Sequence, residues 1–170
     1  MLRYVIVAAA GLVLAGGVRA DNKENIEAAR AAVQTLDASK DAKERTAASA
    51  AVGKAASGGL FKHIEPAIPK VVEALDDKDA GVRAAAVLAV GQIGPDDAEP
   101  VVKKLAELLK DEDAKVKANA VKALGSFGPK AESAVKALRA AKKADGDPKS
   151  RFSRSIDAAI KTIKPKPPKE

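Results

Sequence analysis

An internal repeat with a spacing of 34 residues constrains the fold of this chain more than any other feature of its sequence. Residues 79–95 align without a gap on residues 113–129, and the match includes the small residues as well as the large apolar ones. A weaker copy, 41–58, precedes this pair at an offset of 38, and a fourth copy follows within 130–164 after a short insertion. Periods of this length are typical of proteins in which each copy forms one supersecondary unit.

Each copy has the pattern of two helices joined by a polar turn. In the third copy, residues 99–109 carry apolar side chains at helical spacing, and Pro100 is tolerated because it falls in the first turn. Asp113 follows a polar turn and is placed to cap the second helix, which Gly128 and Pro129 then end. We predict that this second helix buries Val116, Ala120, Ala123, Leu124 and Phe127.

The composition favours stacked helices over a sheet. Aromatic residues make up 2% of the chain, cysteine is absent, and alanine supplies much of the apolar content, which suits closely packed helices. A two-helix unit of this size cannot bury both of its apolar faces alone, so neighbouring copies must stack. The sequence therefore predicts an all-α domain over 21–164, with eight helices in four repeats at about 22–58, 64–95, 97–129 and 130–164.

The pattern from Asp79 to Gly94, Asp-x-x-Val-Arg-x-x-Ala-x-x-Ala-Val-Gly-x-Ile-Gly, resembles the short HEAT repeats of the phycobilisome-lyase-like kind. The resemblance is strongest over 64–129, fair over 41–58 and weakest over 130–164. It implies a right-handed α-α superhelix, a HEAT-type solenoid, whose second helices line a concave face. The matched residues are those that build the scaffold, so the resemblance indicates the fold much more than the function.

The N-terminus has the pattern of a cleaved secretory signal. Arg3 precedes an apolar run, 4–14, and Val18-Arg19-Ala20 places small residues at the two positions that a signal peptidase recognises. The apolar run is too short to span a bilayer comfortably. We therefore expect cleavage after Ala20, a periplasmic or secreted protein, and no stable membrane insertion of the mature chain. The Lys- and Pro-rich end, 165–170, is expected to be a disordered tail.

An acidic and a basic residue recur four residues apart at the start of each second helix. The pairs are Asp41/Arg45, Asp79/Arg83, Asp113/Lys117 and Asp147/Arg151. A row of cations for an anionic ligand is one interpretation of this pattern. Helix capping and an ion pair within each helix explain its presence in every copy better, so we assign these residues to the scaffold.

Outward positions of the second helices vary between copies while their neighbours stay alike. This variation fits surface chemistry that is free of packing constraints, and it predicts that another protein or a peptide segment binds there. Lys43 and Ser49 occupy such positions in the first copy. The predicted protein-binding residues are Leu88, Gln92, Lys115, Asn119, Lys122, Ser126, Arg154 and Lys161.

Basic residues are concentrated in the C-terminal part of the chain. Residues 21–110 contain 13 basic and 15 acidic side chains, whereas residues 111–170 contain 15 and 8. The basic set includes Lys130, Lys136, Arg139, Lys142, Lys143, Lys149, Arg151 and Arg154. No aromatic platform accompanies it and the chain is expected to be exported, so nucleic acid is not a predicted partner. Attraction to an anionic surface remains an alternative function.

No catalytic, metal or cofactor site is predicted. His63 is the single histidine, and without cysteine it cannot complete a usual zinc site. The resemblance keeps one enzymatic alternative open, an accessory subunit or a lyase-like enzyme, because relatives of this repeat type include bilin lyases. These act inside the cell, which is at odds with an export signal. DNA glycosylases of the wider superfamily use groove aromatics that are scarce here. The leading hypothesis is an exported, non-catalytic scaffold or adaptor.

Overall fold

The computed structural model describes residues 23–59 and 64–164. Within these ranges the chain forms α-helices joined by turns and short 3₁₀ segments, with no strand, so the all-α prediction is confirmed. The helices are α1 (Lys23–Ala38), α2 (Ala42–Ser57), α3 (Ile68–Glu73), α4 (Ala80–Ile93), α5 (Glu99–Leu108), α6 (Ala114–Phe127), α7 (Val135–Asp145) and α8 (Arg151–Ile163). The 3₁₀ segments are Glu65–Ala67, Ala74–Asp76 and Gly128–Ala134.

The chain divides into two compact units, residues 1–93 and 94–170. The first unit contains α1–α4 and the second contains α5–α8, so each has two consecutive helical hairpins. The bounds of these helices fall within the predicted repeat ranges. The predicted signal segment, His63 and the predicted tail lie outside the described residues.

In the first unit the second helices of the two hairpins, α2 and α4, pack against each other at very short range. Gly53 on α2 faces α4 so closely that a Cβ atom added to it would lie 2.7 Å from the Cα atom of Ala89. The first helices form the other layer, in which α1 contacts α2 and α3, and α3 contacts α4. The core between them contains the fully buried side chains Val52, Ile64, Val71, Leu75, Val82 and Val87.

The second unit repeats this arrangement with slightly more room. Gly125 on α6 faces α8, and a Cβ atom added to it would lie 3.4 Å from the Cβ atom of Ala159. The Thr162 hydroxyl, also on α8, donates to the Gly125 carbonyl oxygen at 3.2 Å. Helix α5 packs on α6, and α7 packs on α8. All five residues predicted to form the buried face of α6 are buried.

Caps and stops lie where the repeat pattern predicts them in the second and third copies. The Asp113 carboxylate accepts hydrogen bonds from the backbone N–H groups of Lys115 and Val116 at 2.8 and 2.9 Å. Gly94 and Gly128 follow α4 and α6 with φ angles of +56° and +54°. Residues with a side chain rarely adopt such values, so glycine is required at these helix ends.

The first helix of the second hairpin is shorter than predicted. The pattern indicates one helix, whereas the structure has a 3₁₀ turn at Glu65–Ala67, the short helix α3, and another 3₁₀ turn at Ala74–Asp76. Pro66 and Pro69 both lie in this stretch and remove two backbone donors within four residues. Regular α-helical hydrogen bonding therefore begins late.

Candidate functional site

Most of the predicted protein-binding residues are exposed on the second helices. On α4, Leu88 and Gln92 are exposed, and Leu88, at 42% of its surface, is the one large hydrophobic side chain exposed among the residues that the structure describes. On α6 and α8 the exposed members are Lys115, Lys122, Ser126, Arg154 and Lys161. An exposed apolar side chain beside a polar amide suits contact with another protein surface.

Two residues predicted to face outward are buried, and the prediction is wrong for both. Asn119 on α6 is 6% exposed and Ser49 on α2 is fully buried. In the repeat alignment Ser49 matches Val87 and Val121, which are core residues, and its hydroxyl donates to the Arg45 carbonyl oxygen at 3.0 Å. Helix α6 packs against both α5 and α8. It therefore buries two of its faces, and fewer of its residues are exposed than the prediction of one buried face assumed. Asn119 is therefore not available to a partner.

The aspartates that begin the second helices act as caps, as predicted. Asp41 accepts from the Lys43 backbone N–H at 2.7 Å, and Asp79 accepts from the Gly81 N–H at 2.8 Å. In the fourth copy the prediction is wrong, because Ser150 caps α8 and accepts from the Ser153 N–H at 2.9 Å. The insertion before α8 shifts the helix start past Asp147.

The basic member of the first pair bonds to a different acid from the one predicted. Arg45 donates to both carboxylate oxygens of Asp77, at 2.7 and 2.9 Å, and to the Ser39 carbonyl oxygen at 3.1 Å. Asp77 lies in the turn of the following hairpin, so this contact joins two repeats instead of stabilising one helix. The Arg45 guanidinium is the main cause that lowers the pKa of the Asp77 carboxyl. This confirms a scaffold role for Arg45.

The basic C-terminal residues do not form one uniform patch. Lys142 pairs with Asp157 at 2.6 Å, joining α7 to α8, and Lys130 lies 3.9 Å from Asp96. Exposed ion pairs of this kind contribute little to stability. They do remove two members of the predicted basic set from the charge available to a ligand.

A groove in the second unit was missed at the level of sequence. It encloses about 960 Å³ between the two hairpins and is called the alanine groove below. Its apolar lining is Ala106, Leu109, Ala114, Ala118, Ala137, Ala140, Ala141, Ala144 and Phe152. Four alanines on α7, at 137, 140, 141 and 144, have the i, i+3, i+4, i+7 spacing of a helix face. That second apolar stripe, beside the buried Val135 and Leu138, was the available signal.

Cations surround the alanine groove. Its charged lining residues are Lys110, Lys117, Lys122, Arg151 and a single acid, Asp145. The Asp145 carboxylate already accepts hydrogen bonds from the Ser150 and Ser153 hydroxyls, the latter at 2.7 Å. These two bonds, with a smaller contribution from Lys117, lower the pKa of Asp145. The groove therefore combines a carbon-rich floor with an excess of positive charge.

The residues that the structure describes contain no group of three or more His, Asp or Glu residues placed to hold a metal ion. None of the helices described is long and apolar enough to cross a membrane.

The family is settled by comparison with known repeats. The model of HEAT repeats matches residues 68–155, which is just over half of the chain, and the model of a HEAT-like repeat matches residues 42–93. The chain belongs to the HEAT-repeat family. No curated protein matches this HEAT-repeat chain.

Several solved structures that are similar to this HEAT-repeat protein are engineered or designed proteins. A designed armadillo repeat protein in complex with the peptide (KR)4 has a TM-score of 0.74 at 21% identity, covering 93% of this chain and 73% of its own. Computationally designed armadillo repeat proteins for modular peptide recognition give 0.68 at 23%, with 93% and 74% covered. A further engineered protein gives 0.64 at 25%, with 94% and 71% covered. The likeness shows that the chain has a fold of stacked helical repeats.

Proposed function

We propose that this HEAT-repeat protein is an exported, non-catalytic adaptor that holds a segment of another protein against its second helices. The observation that carries the proposal is that variable residues are exposed on the second helices within each unit, with Leu88 presented to solvent. Their neighbours in the repeat pattern are buried core residues, so surface chemistry can vary without loss of the fold. Two of the similar structures are described as peptide-binding or peptide-recognition repeats, which supports a peptide segment as the partner.

The proposal predicts that binding of the partner depends on the exposed residues of the second helices. Leu88→Glu replaces an apolar contact with a charge at an exposed position, and Lys122→Glu reverses a charge on α6. Both changes should leave the melting temperature nearly unchanged, because neither side chain contributes to the core. Crosslinking in the native cell envelope, followed by mass spectrometry, should recover a partner with the wild type and lose it with the double variant.

A matched control separates this surface from general charge effects. Lys136→Glu makes the same charge change as Lys122→Glu, but on α7, at an exposed residue that is not one of the predicted protein-binding residues. The control should retain the partner. Recovery that is equal for all variants would contradict the proposed surface, and the absence of any specific crosslinked protein would contradict the adaptor function itself.

A further inference from the structure

The alanine groove, at about 960 Å³, is large enough to hold part of a peptide chain. Its lining residues come from α5 and α6 of one hairpin and from α7 and α8 of the other hairpin of the same unit. Its small alanine side chains allow a backbone to approach closely, while Phe152, half-buried at the start of α8, adds an aromatic surface to the lining. Apolar groups of a ligand would be removed from water there.

The cations of the groove are available to a ligand. In the part of the chain that the structure describes, none of Lys110, Lys117, Lys122 and Arg151 forms an ion pair, in contrast to Lys142, which Asp157 holds. Asp145 carries one negative charge and therefore balances only one of these four positive charges; its carboxylate also accepts hydrogen bonds from two serine hydroxyls. The N-terminal end of α8, which the neutral Ser150 side chain caps, also lies at the groove and adds partial positive charge.

We infer that the alanine groove binds an acidic peptide segment that carries at least one large apolar side chain. This rests on the proposed adaptor function and specifies the chemistry of the partner. Carboxylates of the segment pair with the four cations, and its apolar side chain lies against Phe152 and the alanines. The chain's own C-terminal end is no substitute, because residues 164–170 contain three lysines and one glutamate.

A simple polyanion fits the groove less well than an acidic peptide. A sulfated polymer or an anionic lipid surface would use the cations alone and would leave the apolar floor in contact with water. A peptide with both kinds of group uses both, and charge complementarity then selects it over a basic peptide. An acidic peptide and a simple polyanion are therefore distinguished by whether the affinity depends on an apolar side chain of the ligand.

Fluorescence anisotropy with three labelled synthetic peptides tests the inference on the purified chain at about 0.15 M salt, where charges are partly screened. The first peptide alternates glutamate with alanine and has one central phenylalanine. The second replaces that phenylalanine with serine, and the third replaces every glutamate with lysine. We expect the first to bind at least about tenfold more tightly than either of the others. Equal binding of the first two, together with tight binding of heparin, would overturn the inference in favour of a simple polyanion site.

Two variants place the binding in the groove. The double charge reversal Lys110→Glu with Arg151→Glu should weaken binding of the first peptide at least about tenfold. The new glutamate at the start of α8 is favoured by the helix dipole, so this part of the variant should not destabilise the helix. Ala140→Trp, at an exposed position, should fill the floor and weaken binding without changing any charge. The control Lys136→Glu with Arg139→Glu changes net charge equally on exposed α7 residues outside the groove and should bind as the wild type does.

Circular dichroism melts accompany each variant, so that loss of binding is separated from loss of fold. Groove variants that melt like the wild type and still bind the first peptide would overturn the inference. The envelope crosslinking experiment distinguishes this outcome from failure of the adaptor proposal. A partner lost with Leu88→Glu but retained with the groove variants would refute the groove and keep the adaptor function.

Discussion

At the scale of single residues, the contact between Arg45 and Asp77 shows how one side chain joins two repeats. The guanidinium makes two hydrogen bonds to the carboxylate, and both side chains are nearly buried, at 11% and 13% exposure. A two-bond arrangement of this kind fixes orientation as well as distance. Lysine at position 45 would keep the charge and lose that geometry.

Asp77→Asn is expected to lower the free energy of unfolding by about 1.5–3 kcal/mol at neutral pH, as for a hydrogen bond to a charged group. The folded-state pKa of Asp77 is depressed, so its contribution is complete above the unfolded value of about 3.9 and is lost as the pH falls through the lower folded value. Urea melts of both proteins between pH 7 and pH 2 should therefore converge at the acid end. The control Asp147→Asn, at an exposed acid, should track the wild type throughout.

Replacing the glycines at matching positions of α2 and α6 with alanine should change the free energy of unfolding in opposite directions. Gly53→Ala places a Cβ atom 2.7 Å from the Ala89 backbone, so the helices must separate, at a cost of about 1–3 kcal/mol. Gly125→Ala meets Ala159 at an ordinary 3.4 Å and gains up to about 1 kcal/mol of helix propensity. Chemical denaturation of the two variants checks this, and equal destabilisation would refute the difference in spacing.

At the scale of helices, alanine sets how closely the second helices approach their neighbours. Ala86 on α4 and Ala120 on α6 are fully buried and occupy the same place in the repeat. Replacing either with leucine should overpack the interface and cost about 1–3 kcal/mol. Thermal melts that show no loss for either variant would refute the packing register, and Ala140→Leu, at an exposed position, is the control.

Sequence periodicity predicted the regular helices of the third copy correctly because the core, the caps and the stops recur together. Val116, Asp113 and Gly128 each have the predicted role in α6. The partner of Arg45 could not be predicted, because it lies 32 residues away across a repeat boundary and local spacing favoured Asp41. The groove was missed for a similar reason. The alanines on α7 could line either a buried core or the floor of an open groove. Only the position of the neighbouring hairpin determines which of the two they form.

At the scale of the whole molecule, the proposed export and the proposed adaptor function can be tested separately. Expression of the chain from Met1 to Glu170 in a host with a secretory pathway should place the protein outside the cytoplasm with Asp21 as its first residue. Mass spectrometry of the isolated protein measures that terminus. Replacing Ala20 with a bulky residue should retain the longer form, because a signal peptidase requires a small residue there. A cytoplasmic protein that begins at Met1 would refute export.

The turn aspartates have a consequence for how such a chain gains or loses copies. Asp77, Asp111 and Asp145 recur every 34 residues. Arg45 of the preceding hairpin forms an ion pair with Asp77, and the positive charge of Lys117 of the preceding hairpin, without an ion pair, helps to lower the pKa of Asp145. Duplication of one 34-residue unit copies its turn aspartate, which lies near the basic residue of the preceding repeat. It also copies its own basic residue, which lies near the turn aspartate of the following repeat. We therefore expect an inserted copy to place an acid near the cation of the copy before it and a cation near the acid of the copy after it.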